Sequence, residues 1–506
     1  MKYTHRAASG LVIPAVLVSV TALLLLPVAD AHAQGRRRGT RVSADLAQRL
    51  RGGDTTDSSV IITGTQARVD AIVAKHGLRV RERLQSGAVL DIPAGQLARV
   101  AEDQDVEAVS SNYILHAHMG VTNEAIGADQ VWSSGWIEGV RGLTGAGVVV
   151  AVIDTGVAKV PELRGRIVAS VDFTTRTSKS QAPAGDRNGH GTHVAGIIAA
   201  AGVNKHDDTS GVAPGAQILD LKVLDDHGNG VAADVVKAID YAVANKARYK
   251  IRVINLSLGG PVLQPYADDP VNQAVERAYR AGIVVVTSAG NKGKDDQGRE
   301  VLGGITVPGN SPYAITVGAL NTKGTARRSD DVVATYSSRG VTRFDHLVKP
   351  DLVAPGNKIL GLLAPGSTLA KEHPELVVDT TEGKRLQLSG TSMAAAVVSG
   401  AVALIATSQP SAQPEMIRHL FQQTASVVPD SLVVRTGTGS LNVRAALGLI
   451  AGQSPQVTIA GETTHAGFNS FCSKVTCRVG SDGLVWSDGL VWSDGLVWSD
   501  GIVSGD

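Results

Sequence analysis

Two histidines lie three residues apart in the stretch NGHGTHVAGIIAA, residues 188–200. His190 is flanked by Gly189 and Gly191, which allow other backbone to approach closely, and the small apolar residues after His193 predict a helix. A zinc site would need a third ligand and the H-E-x-x-H spacing, which this stretch lacks. Read alone, His190 fits a capping or core histidine as well as it fits a catalytic base, so other residues must decide.

Three further polar residues occupy positions where a side chain could take part in chemistry. Asp154 ends the apolar run VVVAVID, which predicts a buried strand with a carboxylate at the rim of a sheet. Ser392 precedes a helical stretch in LSGTSMAAAVVSG, so its hydroxyl would lie at a helix N-terminus, where negative charge is stabilised. Asn291 ends the run VVVTSAGN in a glycine-flanked turn. Each residue alone fits a cap or a turn equally well.

Together these stretches resemble the subtilisin-like serine proteases, the subtilase family (peptidase S8). AVIDTGV is similar to the Asp motif of that family, NGHGTHVAG to its His motif and GTSMA to its Ser motif, in the same chain order, and SAGN is similar to its oxyanion segment. NLSLGG (255–260) is similar to a substrate-binding strand, and VPGNSPYAITVGA (307–319) to the stretch after the oxyanion asparagine. The resemblance covers about 125–450, and residues 58–118 resemble the inhibitory propeptide of the family, of the inhibitor-I9 type.

The resemblance implies a serine endopeptidase whose catalytic residues are Asp154, His190 and Ser392. Ser392 Oγ would attack the scissile carbonyl to form an acyl-enzyme, His190 would act first as base and then as acid, and Asp154 would orient the imidazole. Asn291 and the Ser392 N–H would bind the oxyanion. This chemistry requires no cofactor, and His193 is expected to be structural.

The resemblance also implies which residues contact the substrate. One strand would pair with an extended peptide and form one wall of the S1 pocket, a second segment would form another wall, and HGNG would provide the opposite pairing edge. These residues are, in that order, Ser257, Leu258, Gly259 and Gly260; Ser288, Ala289 and Gly290; Gly228 and Gly230. Because no acidic residue marks the pocket floor, we expect uncharged or apolar P1 side chains.

One stretch departs from the family. After GTSMA the family usually continues Pro-His-Val-Ala-Gly, whereas this chain has AAVVSG at 395–400. Alanine is a good helix former, and Val397 replaces a histidine that has no role in the triad. We therefore expect the triad to be intact and the surrounding core to differ.

The fold class follows from the alternation of apolar runs and helical stretches between 145 and 450. It predicts an α/β domain with a doubly wound, mostly parallel sheet and helices on both faces, in which Asp154, Ser257 and Asn291 lie at carboxyl ends of strands. The predicted strands are 147–154, 217–224, 252–258, 282–290 and 314–320, and the predicted helices are 233–247 and 270–282. Upstream, a β-α-β-β-α-β order predicts a small ferredoxin-like α+β domain.

The ends of the chain complete the predicted domain organisation. Residues 1–33 read as a cleaved signal peptide, with a basic start, an apolar run and an AHA cleavage site, so we expect secretion; an uncleaved anchor is the alternative. We then assign 34–57 to a linker, 58–118 to the propeptide and 125–450 to the catalytic domain, with the processing site within the linker 112–124. Residues 451–480 form a C-terminal extension, and 481–506 form a repeat tail.

The tail repeats SDGLVW three times and ends in SDGIVS. It fits a disordered spacer, a cell-surface or carbohydrate-binding repeat with exposed tryptophans, or a short β-structure docked on the catalytic domain. Cys472 and Cys477 are the only cysteines, and a local disulfide is expected in an exported protein.

The net charge of +1 gives no electrostatic support for nucleic-acid binding. The expected partners of this monomer are polypeptide substrates and its own propeptide, 58–118. DFT (172–174), DDHGNG (225–230) and DDQGRE (295–300) offer oxygen ligands without EF-hand spacing, which leaves structural calcium open. The alternative function is a non-catalytic secreted binding or adhesion protein on the same fold that presents the tryptophan repeats.

Overall fold

The computed structural model describes residues 40–53, 56–84, 87–111, 118–133, 142–174, 185–201, 210–429, 431–465, 497–499 and 502–504. The chain divides into two units, Met1–Leu115 and His116–Asp506. The predicted signal peptide, the two cysteines and the first repeats of the tail lie outside the described residues.

The first unit is a five-stranded sheet, in the order β1-β5-β2-β4-β3, with helices packed against it. β1 runs parallel to β5 and the other pairs are antiparallel. Its elements are β1 Arg41–Val42, α1 Ala44–Arg51, β2 Ser58–Thr63, α2 Gln66–His76, β3 Arg79–Leu84, β4 Gly87–Ile92, α3 Leu97–Ala101 and β5 Ala108–Ser111. From β2 to β5 this is the predicted β-α-β-β-α-β order.

The predicted linker 34–57 is partly wrong. Residues 41–51 form β1 and α1, and Leu46 is fully buried in the core of the first unit. Leu46 and Leu50 lie four residues apart and give a short helix one apolar side, which charged neighbours obscure in the sequence. The first unit therefore begins before the predicted boundary.

The second unit contains the longer elements of the chain. In order they are α4 His118–Ile126, α5 Asp129–Trp132, β6 Val149–Asp154, β7 Ile167–Asp172, α6 His190–Ala199, β8 Gln217–Lys222, α7 Ala232–Ala244, α8 Lys246–Tyr249, β9 Ile251–Leu256, α9 Pro270–Arg280, β10 Val284–Ser288, β11 Ala314–Asn321, β12 Val332–Val333, β13 Leu352–Pro355, β14 Ile359–Leu362, α10 Thr368–Glu372, β15 Val377–Thr380, β16 Gly383–Leu388, α11 Thr391–Ser408, α12 Pro414–Thr424, α13 Val433–Thr436, α14 Val443–Ile450, β17 Thr458–Ile459, β18 Glu462–Thr463, β19 Val497–Ser499 and β20 Ile502–Ser504.

Eight strands of the second unit form one sheet, which is parallel in the order β7-β8-β6-β9-β10-β11-β13 and carries the antiparallel β12 on β11. Side chains alternate between two cores. Val150 and Val152 of β6 pack with α6 and α11, whereas Ala151 and Ile153 pack with α7 and α9. The predicted doubly wound parallel sheet with helices on both faces is confirmed.

The order of strands places β6 between β8 and β9, so the chain adds strands first on one side of β6 and then on the other. In open parallel sheets a crevice forms at such a reversal, outside the carboxyl ends of the strands. α6 and α11 both begin at this edge. α11 is the one helix of the described chain that is long and apolar enough to cross a membrane, but nearly all of it is buried in the core.

The second unit also extends beyond the predicted domain bounds. Thr122 and Asn123 of α4 are buried, and Asn123 Nδ2 donates to Ser210 O, so the predicted linker 112–124 is shortened from its C-terminal side. At the other end, Glu462 accepts the Arg328 N–H at 2.8 Å, which fixes the β17–β18 hairpin to the same unit. In the tail, β19 and β20 pair antiparallel.

Candidate active site

Asp154 and His190 are brought together by the end of β6 and the start of α6. The distance between His190 Nδ1 and Asp154 Oδ1 is 2.7 Å, and the Thr155 N–H donates to the same oxygen at 2.7 Å. Asp154 is fully buried, whereas 22% of the His190 side chain is exposed. One ring nitrogen is therefore held by a carboxylate while the ring keeps access to solvent.

Two glycines, Gly191 and Gly156, allow the segments that carry Asp154 and His190 to approach each other. A Cβ on Gly191 would lie 2.2 Å from the Gly156 carbonyl oxygen, far inside van der Waals contact, and one on Gly156 would lie 2.1 Å from the Gly185 oxygen. The close approach expected from the glycines beside His190 is thus present at Gly191, where it allows α6 to come near the end of β6.

Asp186 links the segments that carry Asp154 and His190. Its Oδ1 accepts from Thr155 Oγ1 at 3.0 Å and the Gly189 N–H at 2.7 Å, and its Oδ2 accepts from Thr192 Oγ1 at 2.6 Å. Since Thr155 follows the aspartate and Thr192 follows the histidine, one buried carboxylate orients both strand end and helix start. The sequence analysis did not identify Asp186, although it lies four residues before His190.

The electrostatics of the pair favour the protonated ring. Burial lowers the pKa of His190, but the charge and hydrogen bond of Asp154, with the charge of Asp186, raise it by more, so that the pKa lies above its ordinary value. The imidazolium that a general base forms is therefore stabilised at this position.

Ser392 lies in the first turn of α11, where backbone N–H groups have no partner within the helix. Its Oγ donates to the Ser257 carbonyl at 3.1 Å, and Ser257 Oγ donates to the Ser392 carbonyl at 2.8 Å. The structure gives the Ser392 hydroxyl no hydrogen bond to His190, so proton transfer requires a rotation of this side chain toward the ring.

The amide of Asn291 has a defined orientation. Its Oδ1 accepts the Thr391 N–H and Thr391 Oγ1, each at 3.0 Å, and a main-chain N–H can only donate. Nδ2 is therefore the other end of the amide, close to the start of α11, and Asn291 itself is exposed in the groove. Asn291 thus offers donors beside the Ser392 N–H, as an oxyanion site requires.

A groove of ≈ 920 Å³ runs past these residues. Asp154 lies behind His190 and does not line it, and neither does Ala289, which is fully buried. The residues predicted from sequence that line the groove are His190, Gly228, Gly230, Ser257, Leu258, Gly259, Gly260, Ser288, Gly290, Asn291 and Ser392.

The main chain of several predicted contact residues is already engaged, including Gly260 and Leu258. The N–H and carbonyl of Gly260 both pair with Val307, at 2.9 and 3.0 Å, and the Leu258 carbonyl accepts Ser288 Oγ. Pairing of Gly260 with a peptide, as expected from sequence, is therefore excluded in this conformation. Of this segment, Gly259 has no main-chain hydrogen bond to the described residues, which makes it the available edge.

The His193 ring and the predicted calcium segments form hydrogen bonds within the second unit. The His193 ring is buried between the carbonyls of Ile359 and Leu386, at 3.2 and 3.0 Å, and burial lowers its pKa to about 3. It joins α6 to the β14–β16 sheet as a neutral side chain.

The first aspartate of each calcium candidate, at 172, 225 and 295, accepts hydrogen bonds from the backbone of its own turn.

Comparison with known proteins relates this chain to one family. The sequence profile of the subtilase family matches residues 145–449. The serine protease AprX of Bacillus subtilis (strain 168) is 34% identical over 355 residues, which cover 69% of this chain and 76% of AprX. Subtilisin E of the same organism is 29% identical over 419 residues, 80% of this chain and 95% of subtilisin E.

The chain belongs to the subtilase family. It is a subtilisin-like serine endopeptidase, which decides against the non-catalytic binding protein that the sequence left as an alternative. Among solved structures, the S41 psychrophilic protease matches with a TM-score of 0.49 and 30% identity over 63% of this chain and 97% of that protein, and sphericase matches with a TM-score of 0.48 and 28% identity over 68% and 96%.

Proposed function

We propose that this subtilase is a secreted endopeptidase that hydrolyses polypeptides through a covalent acyl-enzyme and is made as a precursor that processes itself. The observation that carries the proposal is the 2.7 Å contact between buried Asp154 and His190, because His190 lines the groove together with Ser392 and Asn291. A base held by a buried carboxylate beside a serine at a helix N-terminus is the arrangement that nucleophilic acyl transfer needs.

In the proposed mechanism, Asp154 holds His190 Nδ1 and leaves Nε2 to accept the Ser392 proton. Ser392 Oγ bonds to the scissile carbonyl carbon, and Asn291 Nδ2 and the Ser392 N–H donate to the oxyanion that forms. His190 then returns the proton to the leaving amine as the C–N bond breaks. Water, activated by the same ring, hydrolyses the acyl-enzyme.

The proposed substrate is an extended peptide lying along Gly259 on one side and the Gly228–Gly230 segment on the other. Val231 and Leu263 line the same groove and are 59% and 74% exposed, so they offer apolar surface to a bound chain. This supports the expected preference for uncharged or apolar side chains. We propose no cofactor for the chemistry, and loss of thermal stability on chelation by EDTA would reveal structural calcium.

We further propose that the first unit is the propeptide, of the inhibitor-I9 type, and that residues 1–33 direct secretion. Because α4 begins at His118 and buries Thr122, the proposed processing site narrows from 112–124 to 112–117. A substrate must be extended to enter a protease groove, and a packed helix is not.

The test compares the unaltered precursor with its Ser392→Ala variant, with Ser389→Ala as the matched control. Ser389 lies just before α11 and its hydroxyl accepts the Lys358 N–H. We expect the unaltered chain and Ser389→Ala to be trimmed within 112–117 and to react with a fluorophosphonate, by intact mass and N-terminal sequencing. Ser392→Ala should stay whole and unlabelled; an unaltered chain that stays whole and unlabelled would contradict the proposal.

A further inference from the structure

A chain of buried polar side chains leads from the middle of α11 to the nucleophile. Ser399 Oγ donates to Asn255 Oδ1 at 2.8 Å, and Asn255 Nδ2 donates to Ser257 Oγ at 2.9 Å. Ser257 Oγ in turn donates to the main-chain oxygen of Ser392 at 2.8 Å. Ser399 and Asn255 are 0% exposed and Ser257 is 3% exposed, so water does not compete for these bonds.

Helix and strand geometry explain why these side chains meet. Ser392 and Ser399 are seven residues apart in α11, close to two full turns, and therefore lie on one face of the helix. Asn255 and Ser257 are two residues apart at the end of β9 and point to the same side. The four residues form a polar line in an interface that α11 otherwise fills with Ala and Val.

Each hydrogen bond in this line is donated in the direction from Ser399 toward Ser392, and Ser399 determines that direction. A serine hydroxyl has one hydrogen to donate, and Ser399 gives its hydrogen to Asn255 Oδ1. This orients the amide so that Nδ2 faces Ser257. Since Ser257 Oγ accepts from Nδ2, its own hydrogen goes to the Ser392 carbonyl. Without the Ser399 hydroxyl, Asn255 Oδ1 would be buried without a donor, and the amide would lose its preferred orientation.

We propose that Ser399 is a positioning residue for the catalytic serine, acting through Asn255 and Ser257 on the main chain of Ser392. The inference rests on the proposed function of Ser392 as nucleophile. Ser399 lies in the stretch that departs from the usual sequence of the family, so this chain holds its nucleophile partly by contacts of its own. The main chain of Ser392 matters twice, because its N–H is one of the two proposed oxyanion donors.

The test measures the reactivity of Ser392 in the mature enzyme with Ser399→Ala. Loss of one buried hydrogen bond from the line should lower both kcat on a peptide substrate and the second-order rate of fluorophosphonate inactivation by about 3- to 10-fold. KM should change little, because the groove is untouched. The control is Val398→Ala, which removes buried methyl groups from the same helix; it should lower Tm at least as much and leave the inactivation rate unchanged.

A double variant tests whether Ser399 acts on Ser392 through Ser257. If Ser399 acts through Ser257, the double variant Ser257→Ala with Ser399→Ala should react no more slowly than Ser257→Ala alone, whereas additive losses would overturn the route. If Ser399→Ala and the unaltered enzyme react equally fast while Ser392→Ala does not react, Ser399 has no positioning role and the proposed function still stands. If the unaltered enzyme does not react with the fluorophosphonate, both the positioning role of Ser399 and the proposed function of Ser392 are wrong.

Discussion

Both units of the chain carry exposed ion pairs, but among the described residues only the second also contains pairs whose two side chains are both under 10% exposed. In the first, Arg41 and Glu107 pair at 3.0 Å with side chains 64% and 52% exposed. In the second, Lys349 and Asp351 pair at 2.6 Å with side chains only 4% and 7% exposed. Both units are sheets packed against helices, so the difference does not come from the architecture.

This difference shows that the second unit depends on polar interactions in its buried interior. A buried charge destabilises a fold unless a partner compensates for it, and a partner at close range also fixes its position. Asp154 and Asp186 show the use of that constraint, since each is buried and each holds a neighbouring segment in place. In the first unit Asp103 is the exception, since it is a buried carboxylate with charged partners. Burial raises its pKa, but hydrogen bonds from His76 and Lys75 lower the pKa by more, to about 2.

The largest effect is expected from Asp154→Asn. Loss of the carboxylate removes the group that orients His190 and stabilises its protonated form, so kcat should fall by about 10⁴-fold. Activity requires the neutral ring and rises with pH through the His190 pKa, which Asp154 raises above 6.5. The rising limb of kcat/KM against pH should therefore shift to lower pH in the variant. An unmoved limb would mean that His190 is not the titrating base.

A smaller effect, on stability, is expected from Asp351→Asn. Asp351 Oδ2 accepts Lys349 Nζ at 2.6 Å and the Thr316 N–H at 2.7 Å, and the amide would leave the buried ammonium without a counter-ion, although Nζ also donates to the Ala314 carbonyl. In the Ser392→Ala background the variant should lose about 3–5 kcal/mol of unfolding free energy in urea. The matched change Glu107→Gln breaks the exposed pairs with Arg41 and Arg68 and should cost at most about 1 kcal/mol. Equal losses would remove the contrast between the units.

A stability effect of the opposite sign, which depends on pH, is expected from Asp220→Asn. Burial in β8 raises the pKa of Asp220 from 3.8 to about 7, and Ser170, Val157 and Lys222 offset this only in part. Because the folded pKa is above the unfolded one, the protein loses stability as pH rises from about 4 to about 7. The variant should have a higher Tm than the parent above pH 7 and no such advantage near pH 4. An equal gain at both pH values would exclude ionisation as the cause.

The sequence predicted the parts of the fold that carry a strong local signal. The apolar runs that end in Asp154 and Ser288 are buried strands, and His190 and Ser392 begin helices as their neighbours indicated. α1 was missed because its apolar side consists of two leucines among charged residues. The pairing of Gly260 with Val307 was missed because main-chain hydrogen bonds leave no mark on residue type.

The supporting residues of the site were harder to predict for a physical reason. Asp186, Asn255 and Ser399 each occur as a single polar residue in a stretch whose pattern is explained without it. Their roles depend on partners 31 to 144 residues away in the chain, which only the strand order brings into contact. A resemblance to a family transfers the motifs, whereas these contacts are read from the structure.

Under the proposed mechanism, the close approach of Gly191 to Gly156 makes activity depend on the absence of a β-carbon at each of these two positions. A methyl group on Gly191 would collide with the Gly156 carbonyl and push His190 away from Asp154, and one on Gly156 would collide with the Gly185 carbonyl, while every proposed reacting group stayed in the sequence. A related chain that retains the aspartate, histidine and serine but carries a β-carbon at one of these sites should therefore be counted as inactive until it is assayed. A screen of relatives for activity should therefore check those two glycines as well as the three residues of the proposed triad.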